Sequence, residues 1–205
     1  PATTRAQPFD SCRTAPDGTC WGIREAVGNT TLVTRTHLDG RTEVFEASDI
    51  GFTRFGWGAA GVGDPRIMAD GMVWVSGDST REPFASFDGE AWTLVPRPGS
   101  DGMQRGDWGL DATGDLWATY ERHSDAGPTR TLLGRWDGEA WSMFGPVETL
   151  GTWFEIEPDG DVWVGHLTKF DGKALRQVEL PASADNGTPA LRSLARREDG
   201  SIWAV

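Results

Sequence analysis

Apolar residues in this chain come in short alternating runs, cut at close intervals by Asp-Gly or Thr-Gly pairs. Residues 150–180 show the pattern most compactly, with Thr152–Glu157, Asp161–Val164, Leu167–Phe170 and Ala174–Leu180 each reading as a strand. Alternation with period two puts one set of side chains on each face of a pleated strand. No stretch longer than a turn repeats its apolar positions with the 3.6-residue helical period. Asp-Gly between alternating apolar residues is the strongest short hairpin signal, because glycine takes the positive φ that primed two-residue turns require. The expectation is an antiparallel, all-β chain.

Two kinds of turn recur in a fixed order. Five times a turn leads into a tryptophan: Asp17-Gly18 before Trp21, Asp70-Gly71 before Trp74, Thr113-Gly114 before Trp117, Asp159-Gly160 before Trp163 and Asp199-Gly200 before Trp203. These tryptophans lie between 40 and 53 residues apart (163 to 203 and 21 to 74). Between them fall Leu38-Asp39-Gly40, Phe87-Asp88-Gly89, Trp136-Asp137-Gly138 and Phe170-Asp171-Gly172. A four-stranded propeller blade repeats every ~40–50 residues. The pattern therefore predicts a β-propeller with four four-stranded blades, over 11–47, 62–96, 104–147 and 150–180, and a partial fifth over 190–205. Each blade reads as strand A, turn, strand B with its Trp, a variable loop, strand C, turn and strand D. The fifth shows only two strands, so a segment of a larger ring is expected. A closed five-bladed ring is the alternative, with Pro1–Asp10 as an outer strand that Pro1 and Pro8 disfavour.

In an antiparallel blade the A–B and C–D turns leave one end, and the B–C and D–A′ connections leave the other. The first set is uniformly short. The second is varied, including Asp49–Asp64, Ala182–Ala190 and a charged insertion around Tyr120–Arg130 that reads as a long loop. Binding residues concentrate on variable loops carried by a rigid scaffold, which points to the B–C/D–A′ end.

Composition narrows the classes. A net charge of −12 and the lack of a Lys/Arg cluster argue against a nucleic-acid partner, whose phosphates would be repelled. No run approaches the ~18 apolar residues of a membrane-spanning helix. The two cysteines, Cys12 and Cys20, flank one turn, and a hairpin would bring them within bridging distance. A disulfide there would imply an oxidising compartment, and two reduced half-buried thiols are the alternative.

Candidate chemistry is sparse. The strand-B tryptophans Trp21, Trp74, Trp117, Trp163 and Trp203 recur at one place per blade, as packing between blades demands. The turn aspartates, Asp159 and Asp161 included, are spaced for turns and not for a calcium loop, so no metal and no cofactor is expected. His37 lies beside a hairpin turn and His166 beside the shortest B–C loop; His123 lies in the string Tyr120-Glu121-Arg122-His123-Ser124-Asp125, where Tyr120, Arg122 and His123 could contact a polar ligand. Asp107, Trp108, Trp153 and Glu155, with Trp57 and Arg66, fall on strand-A segments or their approaches, near the channel mouth of a propeller. A tryptophan beside carboxylates there suits a sugar, peptide or small amphipathic ligand, and closing gaps between blades is the plainer role. No nucleophile elbow, zinc-protease helix or phosphate loop is present in the sequence.

Asp159-Gly160-Asp161-Val162-Trp163-Val164-Gly165, with Leu167-Thr168-Lys169-Phe170-Asp171-Gly172, resembles the repeat of two-component-regulator-type propellers. Asp70–Val75 with Phe87–Trp92, and Gly114–Trp117 with Trp136–Trp141, match it as well. This resemblance implies a sensory, ligand-binding propeller of bacterial extracytoplasmic type, periplasmic, secreted or at the surface, with an effector domain elsewhere in the full-length chain. A second resemblance, to streptogramin-lyase-like repeats, rests on Ala15–Trp21 and Leu38–Phe45. It implies a lyase or hydrolase with residues gathered at the channel mouth, although the paired His and Glu metal ligands of that family have no counterparts here. A scaffold without a small ligand is the third reading.

Overall fold

The computed structural model describes residues 12–26, 30–52, 65–77, 83–99, 103–124, 127–147, 154–157, 160–164, 168–177, 194–196 and 202–204. Tertiary packing divides the chain into two compact units, Pro1–Gly99 and Ser100–Val205. Among the described residues the chain is all-β apart from one helical turn, with four four-stranded antiparallel sheets and one two-stranded sheet.

The first unit holds β1 (Cys12–Thr14), β2 (Cys20–Ala26), β3 (Thr30–Thr36) and β4 (Thr42–Phe45) in one sheet, paired in sequence order. The one-turn helix α1 (Ala47–Ile50) follows, and then a second sheet of β5 (Arg66–Ile67), β6 (Val73–Ser76), β7 (Phe84–Phe87) and β8 (Trp92–Val95). The second unit repeats the scheme with β9 (Met103–Leu110), β10 (Leu116–Ser124), β11 (Gly127–Trp136) and β12 (Trp141–Val147), then β13 (Phe154–Ile156), β14 (Val162–Val164), β15 (Thr168–Phe170) and β16 (Leu175–Gln177). The strands β17 (Leu194–Arg196) and β18 (Ile202–Ala204) form the two-stranded sheet.

Hairpin chemistry follows the Asp-Gly signal with one correction. Before β2 the Ala15 N–H donates to the Thr19 carbonyl and the Gly18 N–H to the Ala15 carbonyl, so the loop has three residues and not the two of a primed turn. The same bonds close 37–41, 68–72, 111–115 and 157–161, each with a positive-φ glycine in fourth place. That glycine makes the bulge that lets a right-handed turn join twisted strands. The turns at Asp88, Asp137 and Asp171 do have two-residue loops. There the carboxylate accepts the N–H groups two and three residues on, and the glycine takes the first loop position.

Within each unit the two four-stranded sheets stack face to face. Trp21 of β2 lies parallel to Phe45 of its own sheet and meets Phe87 and Trp92 of the next, with ring centroids 5.9, 5.3 and 6.1 Å away. Trp117 of β10 repeats this with Phe144 of its own sheet at 6.3 Å and Phe170 of the next at 5.4 Å. Val33, Val73, Val75 and Ala85 complete the first core, and Leu133, Val162 and Val164 the second, all fully buried. The first strands of the paired sheets run beside each other, β1 by β5 and β9 by β13. Cys12 and Cys20 are joined in a disulfide that ties β1 to β2.

Candidate functional site

The five connections from first to second strand (15–19, 68–72, 111–115, 157–161 and 197–201) all have the same length, five residues. Those from third to fourth strand (37–41, 88–91, 137–140 and 171–174) have five or four. At the opposite end of the sheets the hairpin connections run from two residues (125–126) to seven (77–83), and the links between sheets from six (148–153) to 20 (46–65). Each four-stranded sheet thus has a uniform end and a varied one.

The uniform end is built from carboxylates in structural service. Asp17 accepts the N–H and hydroxyl of Thr19, the Thr19 hydroxyl accepts the Trp21 indole N–H, and Arg35 lies over the Trp21 ring at 5.5 Å while bonding Asp17 at 3.2 Å. In the third sheet Asp111 accepts the Thr113 hydroxyl and the Trp117 indole N–H directly, and Arg135 lies over that ring at 5.4 Å and pairs with Asp115. In the fourth, Lys169 lies over Trp163 at 5.6 Å and pairs with Asp161. Each cation stands directly across from its tryptophan on the next strand. Burial opposes ionisation of Asp111, but its hydrogen bonds from Thr113 and Trp117 outweigh this and hold its carboxyl below the ordinary value. The Thr19 hydroxyl and N–H do the same for Asp17. Asp161 therefore serves an ion pair within its sheet. Among the described residues no His, Cys, Asp and Glu side chains converge as a metal site.

The varied end carries most of the predicted site residues, differently disposed from the sequence expectation. The charged loop expected around Tyr120–Arg130 is instead the prolongation of β10 and β11, joined by two residues. Alternation continues through the supposed loop, and that turns Tyr120 inward. It is 1 % exposed, with its ring edge-on to Trp141 at 5.8 Å. Arg122 stays exposed, and His123 lies within β10. Asp107 and Trp108 are on β9, where Gly106 and Asp107 together oppose Thr119 in a β-bulge. The Asp107 N–H donates to the Thr119 hydroxyl, the hydroxyl donates to the Asp107 carbonyl, and the Asp107 carboxylate accepts the Trp108 N–H. Trp108 is buried, and so not a free stacking platform.

Glu155 is exposed on β13, the strand beside β9, so Asp107 and Glu155 lie on neighbouring strands. They do not share a level. Glu155 pairs with Trp163 as Gly109 pairs with Trp117, and Asp107 stands two residues nearer the varied end. Arg66 on β5 stands across from Trp74. Trp57, Trp153, Asp159 and His166 lie outside the described residues. His37 is in the first sheet's second turn, 3.2 Å from Glu43, and belongs to the uniform end.

Sequence reasoning missed Thr119, Asp111 and the three ring-stacked cations. The bulge partner left no local mark. The cations did, because Arg135 and Lys169 each stand two residues before an Asp-Gly turn. No protein-family model, curated protein or solved structure matches this chain.

Proposed function

We propose that this chain is a recognition module of the β-propeller type, each four-stranded sheet a blade, binding a small molecule, glycan or peptide at its varied end. The observation that carries the reading is the contrast in connection lengths, constant at one end and ranging from two to 20 residues at the other. A scaffold under packing constraint alone has no reason to hold one end fixed and diversify the other. The blade reading is supported by the repeated Trp–aromatic contact between consecutive sheets and by the side-by-side first strands. The Asp107 bulge supports the site, since bulges re-aim side chains at functional edges. An extracytoplasmic setting fits the Cys12–Cys20 disulfide.

Amide NMR spectra recorded against a panel of glycans and peptides test this. Ligand-induced shifts should gather on Arg105–Asp107, Glu121–Arg122 and Arg130–Thr131. Shifts confined to the Asp-Gly turns would sink the reading, and turnover of the bound ligand would replace it with the lyase or hydrolase alternative.

A further inference from the structure

The last strand pairs of the third sheet hold an unusual charge arrangement at the varied end. Arg122 of β10 stands directly across from Arg130 of β11, just before the register shifts. Both side chains are exposed, and directly opposed residues of an antiparallel pair project from the same face with Cβ atoms ~4.5–5.5 Å apart. Like charges in that relation disfavour the pairing. Five other cations are paired with acids: Arg35 with Asp17, Arg41 with Glu43, Arg135 with Asp115, Lys169 with Asp161 and Arg176 with Asp171. With 31 acidic residues in the chain a partner is easily supplied, yet none pairs with Arg122 or Arg130 among the described residues. The next row inward on the same face adds a third arginine, Arg105, across from Tyr120. The rows beyond it, through Ala118 and Leu116, carry no acid.

We propose that Arg122 and Arg130 form a two-pronged oxyanion receptor that takes a carboxylate or sulfate group of a soluble ligand. The inference rests on the reading of the varied end as the binding end, and it names the ligand chemistry. Guanidinium is planar, permanently charged and rich in N–H donors, and two of them at cross-strand spacing can grip one oxyanion from both sides. The surrounding protein is strongly acidic, so the attraction is local and weakens as salt is added.

The test titrates the whole chain with D-glucuronate, inorganic sulfate and uncharged glucose while amide spectra are recorded. Glucuronate or sulfate should give saturating shifts at Glu121–Arg122 and Arg130–Thr131, and glucose none; whichever anion binds more tightly names the group. Arg122→Gln and Arg130→Gln should each weaken this at least about tenfold, the loss of a charge-assisted contact. Non-saturating shifts, or binding retained by both variants, overturn the receptor. If those variants still bind a ligand elsewhere at the varied end, the receptor falls and the wider reading stands; anion shifts confined to the Asp-Gly turns overturn both. Thermal midpoints separate a structural role. Removing one of two opposed charges should leave the midpoint unchanged or raised, and a fall in both variants would mean that the arginines hold the hairpin.

Discussion

Trp117 is fixed by three residues of its own sheet and one of the next: Asp111 takes its N–H, Arg135 covers one face, and Phe144 and Phe170 pack against the ring. Replacing Arg135 with Met keeps the stem and removes the charge, so unfolding free energy should fall by about 0.5–1 kcal/mol, measured by urea denaturation. Trp74 is the informative exception. Ser86 stands where the other sheets place a cation, Met72 stands where Thr19 caps Trp21, and the buried Trp74 indole N–H has no hydrogen-bond partner. Met72→Thr recreates the Thr19 arrangement, with Asp70 in the place of Asp17. A gain of about 0.5–1.5 kcal/mol is expected, and an unchanged midpoint would count against the arrangement being portable.

Among the elements, the hairpins were the most legible part of the chain, since Asp-Gly and Thr-Gly pairs at regular intervals located the described turns and the strands beside them. Which turn each dipeptide makes was not legible. Asp17-Gly18 and Asp88-Gly89 read alike, yet the first occupies the last two places of a three-residue loop and the second closes a two-residue one. The difference lies in where the partner strand resumes pairing, and that is settled across the sheet. Tyr120–Arg130 was misread for a related reason. Charged and polar residues suggested a loop, while the pairing that buries Tyr120 and carries Arg122 to the exposed end of the same face belonged to strands. At Gly71 (φ +92°) an added Cβ would meet nothing within 4 Å, so Gly71→Ala should cost only the left-handed strain, about 1–2 kcal/mol. Gly71→Asn should cost less, which a pair of thermal melts would show.

For the whole molecule the turn carboxylates imply acid sensitivity. Hydrogen bonds from the backbone N–H groups of Ala91 and Glu90 lower the pKa of Asp88, and the corresponding N–H groups lower those of Asp137 and Asp171. A group whose folded pKa lies below its unfolded value stabilises the fold above the unfolded value, near 4, and loses that contribution as pH falls through the folded one. The thermal midpoint should therefore be level down to about pH 4 and then decline. The triple variant Asp88→Asn, Asp137→Asn and Asp171→Asn keeps an acceptor that does not titrate, so its decline should be shallower. Equal slopes for the two proteins would sink this account. The varied end was the least legible level, because Asp107, Thr119, Arg122 and Arg130 come from three strands and are placed only through register.

The Trp-to-Phe contact also has a consequence for engineering. Phe87–Trp92 and Phe170–Leu175 are hairpin tips of equal length, each offering a phenylalanine to the tryptophan of the sheet before it, Trp21 in one case and Trp117 in the other. They are plugs of one gauge. Exchanging the two tips should give a chimera that folds, and a run of such sheets could be lengthened by adding cassettes instead of redesigning interfaces.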